Sequence, residues 1–239
     1  MIGLGTLINT GAIVAGGLLA RLVGPRLQER HQSTLTVACG VSTLFVGISG
    51  AMEGMLKLEN GGIASRNGML VVICLTLGAL IGEIINLEDA FERFGTWLKV
   101  RTGNAGDQCF VHAFVTASLT VCIGAMAIVG SIQDGIHGDY SILAVKSILD
   151  LIIILVMASS LGKGAAFSAL PVFVLEGGMT LLARVLQPLM TEQALGYLSM
   201  IGSILIFCVG LNLVWGKKVR VANLLPAIVL AVIAAAVGI

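Results

Sequence analysis

The sequence predicts an all-α, polytopic membrane bundle of about eight transmembrane segments with an inverted three-helix repeat. Composition is the first reason: 57% of the 239 residues are hydrophobic, only 11% are charged, and mean hydropathy is +1.01. A soluble domain carries about a quarter charged residues, so much of this surface must face lipid. Continuous apolar runs are the second. They cover about 2–20, 34–52, 67–86, 109–131, 141–161, 165–186, 195–215 and 221–239, and a span needs about 20 residues. Strands are not expected, because the runs do not alternate and open sheets cannot cross a bilayer. The third is charge placement. Arg21, Arg26, Arg30, Arg93, Lys99, Arg101, Lys163, Lys217, Lys218 and Arg220 lie in odd-numbered connections, whereas Lys57, Arg66 and Arg184 lie in even ones. The positive-inside rule then puts the odd connections in the cytoplasm and both termini outside.

Segment one, MIGLGTLINTGAIVAGGLLAR, has no basic residue before Arg21. That is the reverse of a secretory signal and predicts a retained helix. Segment three holds Gly78-Ala-Leu-Ile-Gly82, a spacing that lets helix backbones approach. Connection three, LEDAFERFGTWLKVRTGN, repeats Phe91, Phe94, Trp97 and Leu98 at helical intervals among basic residues, which predicts an amphipathic helix on the cytoplasmic face. The five cysteines show no metal spacing and read as packing residues.

LLARLVGPRLQERHQSTL from Leu18 matches LLARVLQPLMTEQALGYL from Leu181. In that register Leu18, Leu19, Ala20, Arg21, Pro25, Glu29, Leu35, Val46 and Gly47 meet identical residues. Segments one and six cross in opposite directions, so the repeat is inverted, as in many secondary transporters. The expected organisation is a first three-helix repeat (1–86), a cytoplasmic amphipathic linker (87–108), a central helix pair (109–161) and a second, inverted repeat (165–239).

Ionisable residues inside the runs are the candidates for function, because each costs about 2.5–3.5 kcal/mol at mid-bilayer on insertion scales. Asp150 is near the middle of its run, and Lys146 is one turn away on the same face. Glu176 lies between Pro171 and Gly177-Gly178, a pattern that suggests a broken helix. Asn9 and Thr10 precede Gly11 in the matching half, with Gly16-Gly17 further on. In the repeat register Asn9 meets Val172 and Glu176 meets Ile13, so the polar positions are near-equivalent rather than superposed. Gly124, Gly130, Gly135 and Gly138 weaken the end of segment four. Asp134 and Asp139 there either cap an outer turn or line a vestibule. Glu83 reads as a snorkelling residue at the end of segment three, and His137 as a loop residue.

The stretches GTLINTGAIVAGGLLARL, LGALIGEIINLE, CIGAMAIVGSIQDGIHGDYSILAVKSILD and FSALPVFVLEGGMTLLA resemble the YdfK/YqgA-like family of bacterial inner-membrane proteins, a domain of unknown function. The resemblance covers essentially the whole chain and is most specific from Cys122 to Asp150. It implies multi-pass inner-membrane localisation and a transport role with no assigned solute. The family often has Pro where this chain has Ala125, which implies a milder break in segment four here.

The expected function is secondary active transport of a small polar or anionic solute, coupled to H+ or Na+. Asn9, Thr10, Asp134, Lys146, Asp150 and Glu176 would form the substrate and ion site, in a Gly-rich bundle suited to a homodimer. The alternatives are an oligomeric ion channel and a membrane protein with a structural role. An enzyme is not expected: His31, His112 and His137 are isolated, and no metal spacing, nucleophile elbow or phosphate loop is present. No cofactor, resident metal or nucleic-acid partner is expected.

Overall fold

A computed structural model describes residues 2–23, 28–59 and 61–238; Pro25 and Arg26 of the first connection lie outside them. The fold is an all-α bundle. Its helices are α1 (Leu4–Val23), α2 (Glu29–Met55), α3 (Gly68–Ile85), α4 (Leu87–Arg101), α5 (Phe110–Cys122), α6 (Ala125–His137), α7 (Ser141–Ser160), α8 (Ala169–Leu181), α9 (Ala183–Leu186), α10 (Glu192–Trp215) and α11 (Pro226–Val237). A two-stranded antiparallel hairpin, Leu56–Glu59 with Gly62–Ser65, follows α2. It departs from the strand-free expectation, but it lies in a connection, where water can satisfy its edges.

Six helices among the described residues are long and apolar enough to cross a membrane, and the bent pair α5 and α6 makes a seventh if counted as one span. The remaining apolar run of the expected eight is the shorter apolar helix Val221–Val237. Its first turn, Val221–Leu224, is a 3-10 helix, and only 12 residues of α-helix follow, a rise of about 18 Å.

Segment four is broken rather than mildly bent. Its halves meet at 62°, and Gly124 between them has φ 156 and ψ 147, a backbone region open to glycine. Segments one and six do not break where their glycines and proline suggested. α1 runs unbroken through Asn9, Gly11 and Gly16-Gly17, and α8 runs through Pro171 and Glu176 to Leu181. Pro171 sits in the first turn of α8, where a missing N–H removes no helical bond. The irregularity instead precedes it, as the 3-10 stretch Lys163–Ser168.

Packing brings sequence-distant helices together. α2 lies antiparallel along α10, α1 packs on α7 and α8, and α3 packs on α11. Glycines permit the α2–α10 approach: a Cβ on Gly47 would fall 2.5 Å from Phe207 N, and one on Gly210 would fall 2.8 Å from Leu44 N. The core contains Phe110, Phe114, Ile154, Met157, Val172 and Leu205, all fully buried. Large apolar side chains such as Phe45, Val72, Ile148 and Val174 point outward, as a lipid-facing surface requires.

The amphipathic helix expected in connection three is present as α4. Leu98 and Glu88 face inward, while Phe94 and Trp97 stack at the surface with centroids 5.8 Å apart.

Candidate functional site

The face of α7 that turns inward carries Leu143, Lys146, Ser147, Asp150, Ile154 and Met157, while Val145, Ile148, Leu149 and Ile152 are exposed. Helical periodicity therefore aims both Lys146 and Asp150 at protein and not at lipid. Lys146 and Asp150 form an ion pair within the helix. The same ammonium lies 3.5 Å from Glu176 Oε1 on α8. It also donates to the Val121 carbonyl oxygen at 2.9 Å.

That carbonyl is free because α5 ends at Cys122. The last turn of a helix leaves carbonyls without partners and carries partial negative charge. The break at Gly124 thus presents a helix C-terminus to Lys146, in the manner of discontinuous helices at transport sites.

Glu176 is fully buried. Its Oε1 accepts from Asn9 Nδ2 at 2.7 Å, joining α8 to α1. One turn away, the hydroxyls of Thr6 and Thr180 meet at 3.4 Å. Asp134 is helical and fully buried, not part of an outer turn. Its Oδ2 accepts from Gly5 N at 2.9 Å, so a carboxylate from α6 satisfies an orphan donor at the start of α1. Asp139 does cap a turn, accepting from Ser141 N at 3.0 Å, and that bond holds its exposed carboxyl below the usual range.

Of the six predicted residues, Asn9, Lys146, Asp150 and Glu176 form one connected cluster. Asp134 closes the adjoining end of α1. Thr10 lies next to Asn9 in sequence, but its hydroxyl has no hydrogen-bond partner. Asn9 Oδ1, Asp134 Oδ1 and Glu176 Oε2 are likewise buried without partners, as are the hydroxyls of Ser118, Ser131 and Ser168. Among the described residues, no group of three or more His, Cys, Asp or Glu side chains is placed to hold a metal ion.

Sequence reasoning missed several parts of this arrangement. The Thr6–Thr180 contact and the Val121 carbonyl have no local signature. It also missed a second network. Lys217 lies 3.0 Å from Glu88 and 2.5 Å from Glu92. Glu83, read as a snorkelling residue, pairs with Arg220 and accepts from Asn223 Nδ2 at 2.6 Å. Asn223 Oδ1 in turn accepts from Glu88 N at 2.7 Å. A cavity of about 280 Å³ opens beside this network and runs along α5 through His112 and Thr116 to Leu119. Leu119 is two residues short of the carbonyl that Lys146 binds.

Residues 4–236 match the family described as "Protein of unknown function (DUF554)". The chain belongs to the DUF554 family. Its relatives include the "Uncharacterized membrane protein YdfK" of Bacillus subtilis (strain 168), 30% identical over 226 residues, covering 95% of this chain and 93% of that protein. They also include the "Uncharacterized protein YqgA" of Escherichia coli (strain K12), 29% identical over 232 residues, covering 95% of this chain and 94% of that protein. No solved structure matches. The resemblance read from the sequence is therefore borne out along nearly the whole DUF554 chain, and this member is a multi-pass membrane protein.

Proposed function

We propose that this DUF554 protein is a secondary active transporter of the bacterial inner membrane, moving a small polar solute coupled to H+ or Na+. The observation that carries the reading is the place of the buried cluster. It joins α1 to α8, the two helices that the internal repeat equates, and broken or polar helices at such a junction are where transporters bind.

The packing supports an inverted repeat. In the register that sets Leu18 on Leu181, Leu44 corresponds to Phe207 and Gly47 to Gly210. A two-fold axis would convert the Gly47–Phe207 contact into a Gly210–Leu44 contact, and both exist. Gly40 against Leu213 and Gly50 against Ser203 are a second such reciprocal pair. On α1 and α8, Asn9 meets Glu176, and the exchanged positions Ile13 and Val172 are both fully buried. Two related halves packed antiparallel offer two states of similar energy, the requirement for alternating access.

The ion pairs from Lys217 and Arg220 to Glu83, Glu88 and Glu92 bring connections three and seven to one end of the bundle, in keeping with a cytoplasmic side there. The cavity along α5 then faces the cytoplasm. A centre whose polar side chains are nearly or fully buried favours a carrier over a pore within one chain.

The test is solute counterflow in proteoliposomes, scanning small polar solutes, with Asp150→Asn beside the native protein. Saturable counterflow that the variant loses is the expected result. Rapid conductance without saturation would sink the carrier reading.

A further inference from the structure

We propose that the ligand recognised at the Asn9–Glu176–Lys146 centre is a singly charged cationic group, an alkali cation or a protonated amine, and not an anion. The proposal rests on the transporter reading for access, because the side chains of the centre are nearly or fully buried in this conformation.

The first argument is charge. Among the described residues Lys146 is the cation of the centre, and Asp150 and Glu176 are both within ion-pair distance of it. Two carboxylates against one ammonium leave a negative charge when all are ionised, and fully buried Asp134 at the start of α1 adds another. A buried excess charge demands a partner.

The second argument is independent and concerns free valences. An ammonium has three donors. Three oxygens already surround that of Lys146: Asp150 Oδ2, Glu176 Oε1 and the Val121 carbonyl. Asn9 directs its amide N–H toward Glu176, as a carboxylate requires. The N–H donors of Lys146 and Asn9 are thus engaged, while the unpartnered buried hydroxyls of Thr10, Ser118, Ser131 and Ser168 can donate or accept and carry no charge to offset an anion. Left over are oxygens: Asn9 Oδ1, Glu176 Oε2 and Asp134 Oδ1, on three fully buried residues, and none has a partner. The 2.7 Å bond between Asn9 and Glu176 keeps the first two in one neighbourhood. Unfilled acceptors beside unbalanced carboxylates define a site for a donor or a cation. The absence of a three-ligand group of His, Cys, Asp or Glu among the described residues favours single charge over a multivalent metal.

The experiment is thermal unfolding of the purified full-length protein in detergent at constant ionic strength. Choline chloride is replaced stepwise by NaCl, KCl or methylammonium chloride, and in a parallel series chloride is replaced by phosphate or succinate as choline salts. A cation bound by the folded state raises the melting temperature saturably. We expect a saturable rise with sodium or potassium, which would assign an alkali ion, or with methylammonium, which would assign an amine. Glu176→Gln should raise the half-saturating concentration about tenfold or more. Asn9→Ala should also weaken the response, and serves if Glu176→Gln does not fold. Stabilisation by the anions alone, or a response to pH alone with none to the cations, would overturn the proposal. So would an undiminished cation response in both variants. Counterflow separates the two readings. Anion counterflow together with no cation response in the unfolding series would remove this inference and keep the carrier, whereas cation binding without counterflow of any solute would keep the inference and remove the carrier.

Discussion

Two charged networks tie this bundle together, and their difference is instructive. The central one joins α1, α7 and α8 through Asn9, Lys146, Asp150 and Glu176, all nearly or fully buried. The terminal one joins α3 and α4 to the segment before α11 through Glu83, Glu88, Glu92, Lys217 and Arg220, and most of its side chains are half exposed. In the terminal network two cations face three carboxylates with water at hand, and Asn223 and the Ala222 N–H fill remaining acceptors. It is organised as a latch. In the central network the ammonium is fully occupied and acceptors remain empty. A latch would be better built from apolar side chains there, because desolvating ions in a low-dielectric interior offsets most of what their attraction returns.

The contrast is sharpest for the lysines. Lys146→Met would strand buried carboxylates, and we expect a loss of about 3–5 kcal/mol, read as a large fall in melting temperature or in folded yield. Replacing Lys146 and Asp150 together by Leu should recover much of that stability while transport stays absent. Recovered activity in the double variant would make the pair a structural device.

A smaller effect tests the frame around the centre. Gly47→Ala and Gly210→Ala each push a methyl onto the facing backbone, and each should cost about 1–3 kcal/mol. The reciprocal contacts predict losses of similar size. A loss confined to one of them would weaken the two-fold description of α2 and α10.

Lys217→Ala should cost only about 0–1 kcal/mol, because its pairs are partly solvated, and the difference should shrink at about 1 M salt. A loss as large as that of Lys146→Met would erase the distinction between the networks.

The smallest effect is one of pH. Partial burial lowers the affinity of Lys217 for its proton, but the hydrogen bonds and charges of Glu92 and Glu88 outweigh it and raise its pKa above 10.5. A raised pKa in the folded state means that the contribution is complete below the ordinary lysine value and is lost as pH climbs through the folded one. The melting temperatures of the native protein and Lys217→Met should therefore converge as pH rises past about 10.5. A gap that persists unchanged would remove Lys217 from the ion pairs.

The sequence by itself determined the solvent, the helical class and the side chains worth watching. Low charge and long apolar runs require a membrane bundle, and 3.6-residue periodicity pairs Lys146 with Asp150 on one face of α7 and makes α4 amphipathic. These follow from local geometry, in which residues three or four apart are neighbours whatever surrounds them. Tertiary structure decided the rest. Glycines and a proline weakened segments one, four and six alike in sequence, yet segment four breaks in mid-run, at Gly124, while segment six is irregular only towards its ends, at Lys163–Ser168 and Leu182. A helix stays whole where neighbours pack its loosened turns, and opens where a side chain such as Lys146 can take the carbonyl released. The last run opens with the 3-10 turn that sets Asn223 between Glu83 and Glu88. That Asn9 reaches Glu176, and that Asp134 caps α1 instead of an outer turn, depends on which helices lie side by side. No spacing encodes that choice, because close packing of whole faces selects it and each polar side chain then takes the partner within reach.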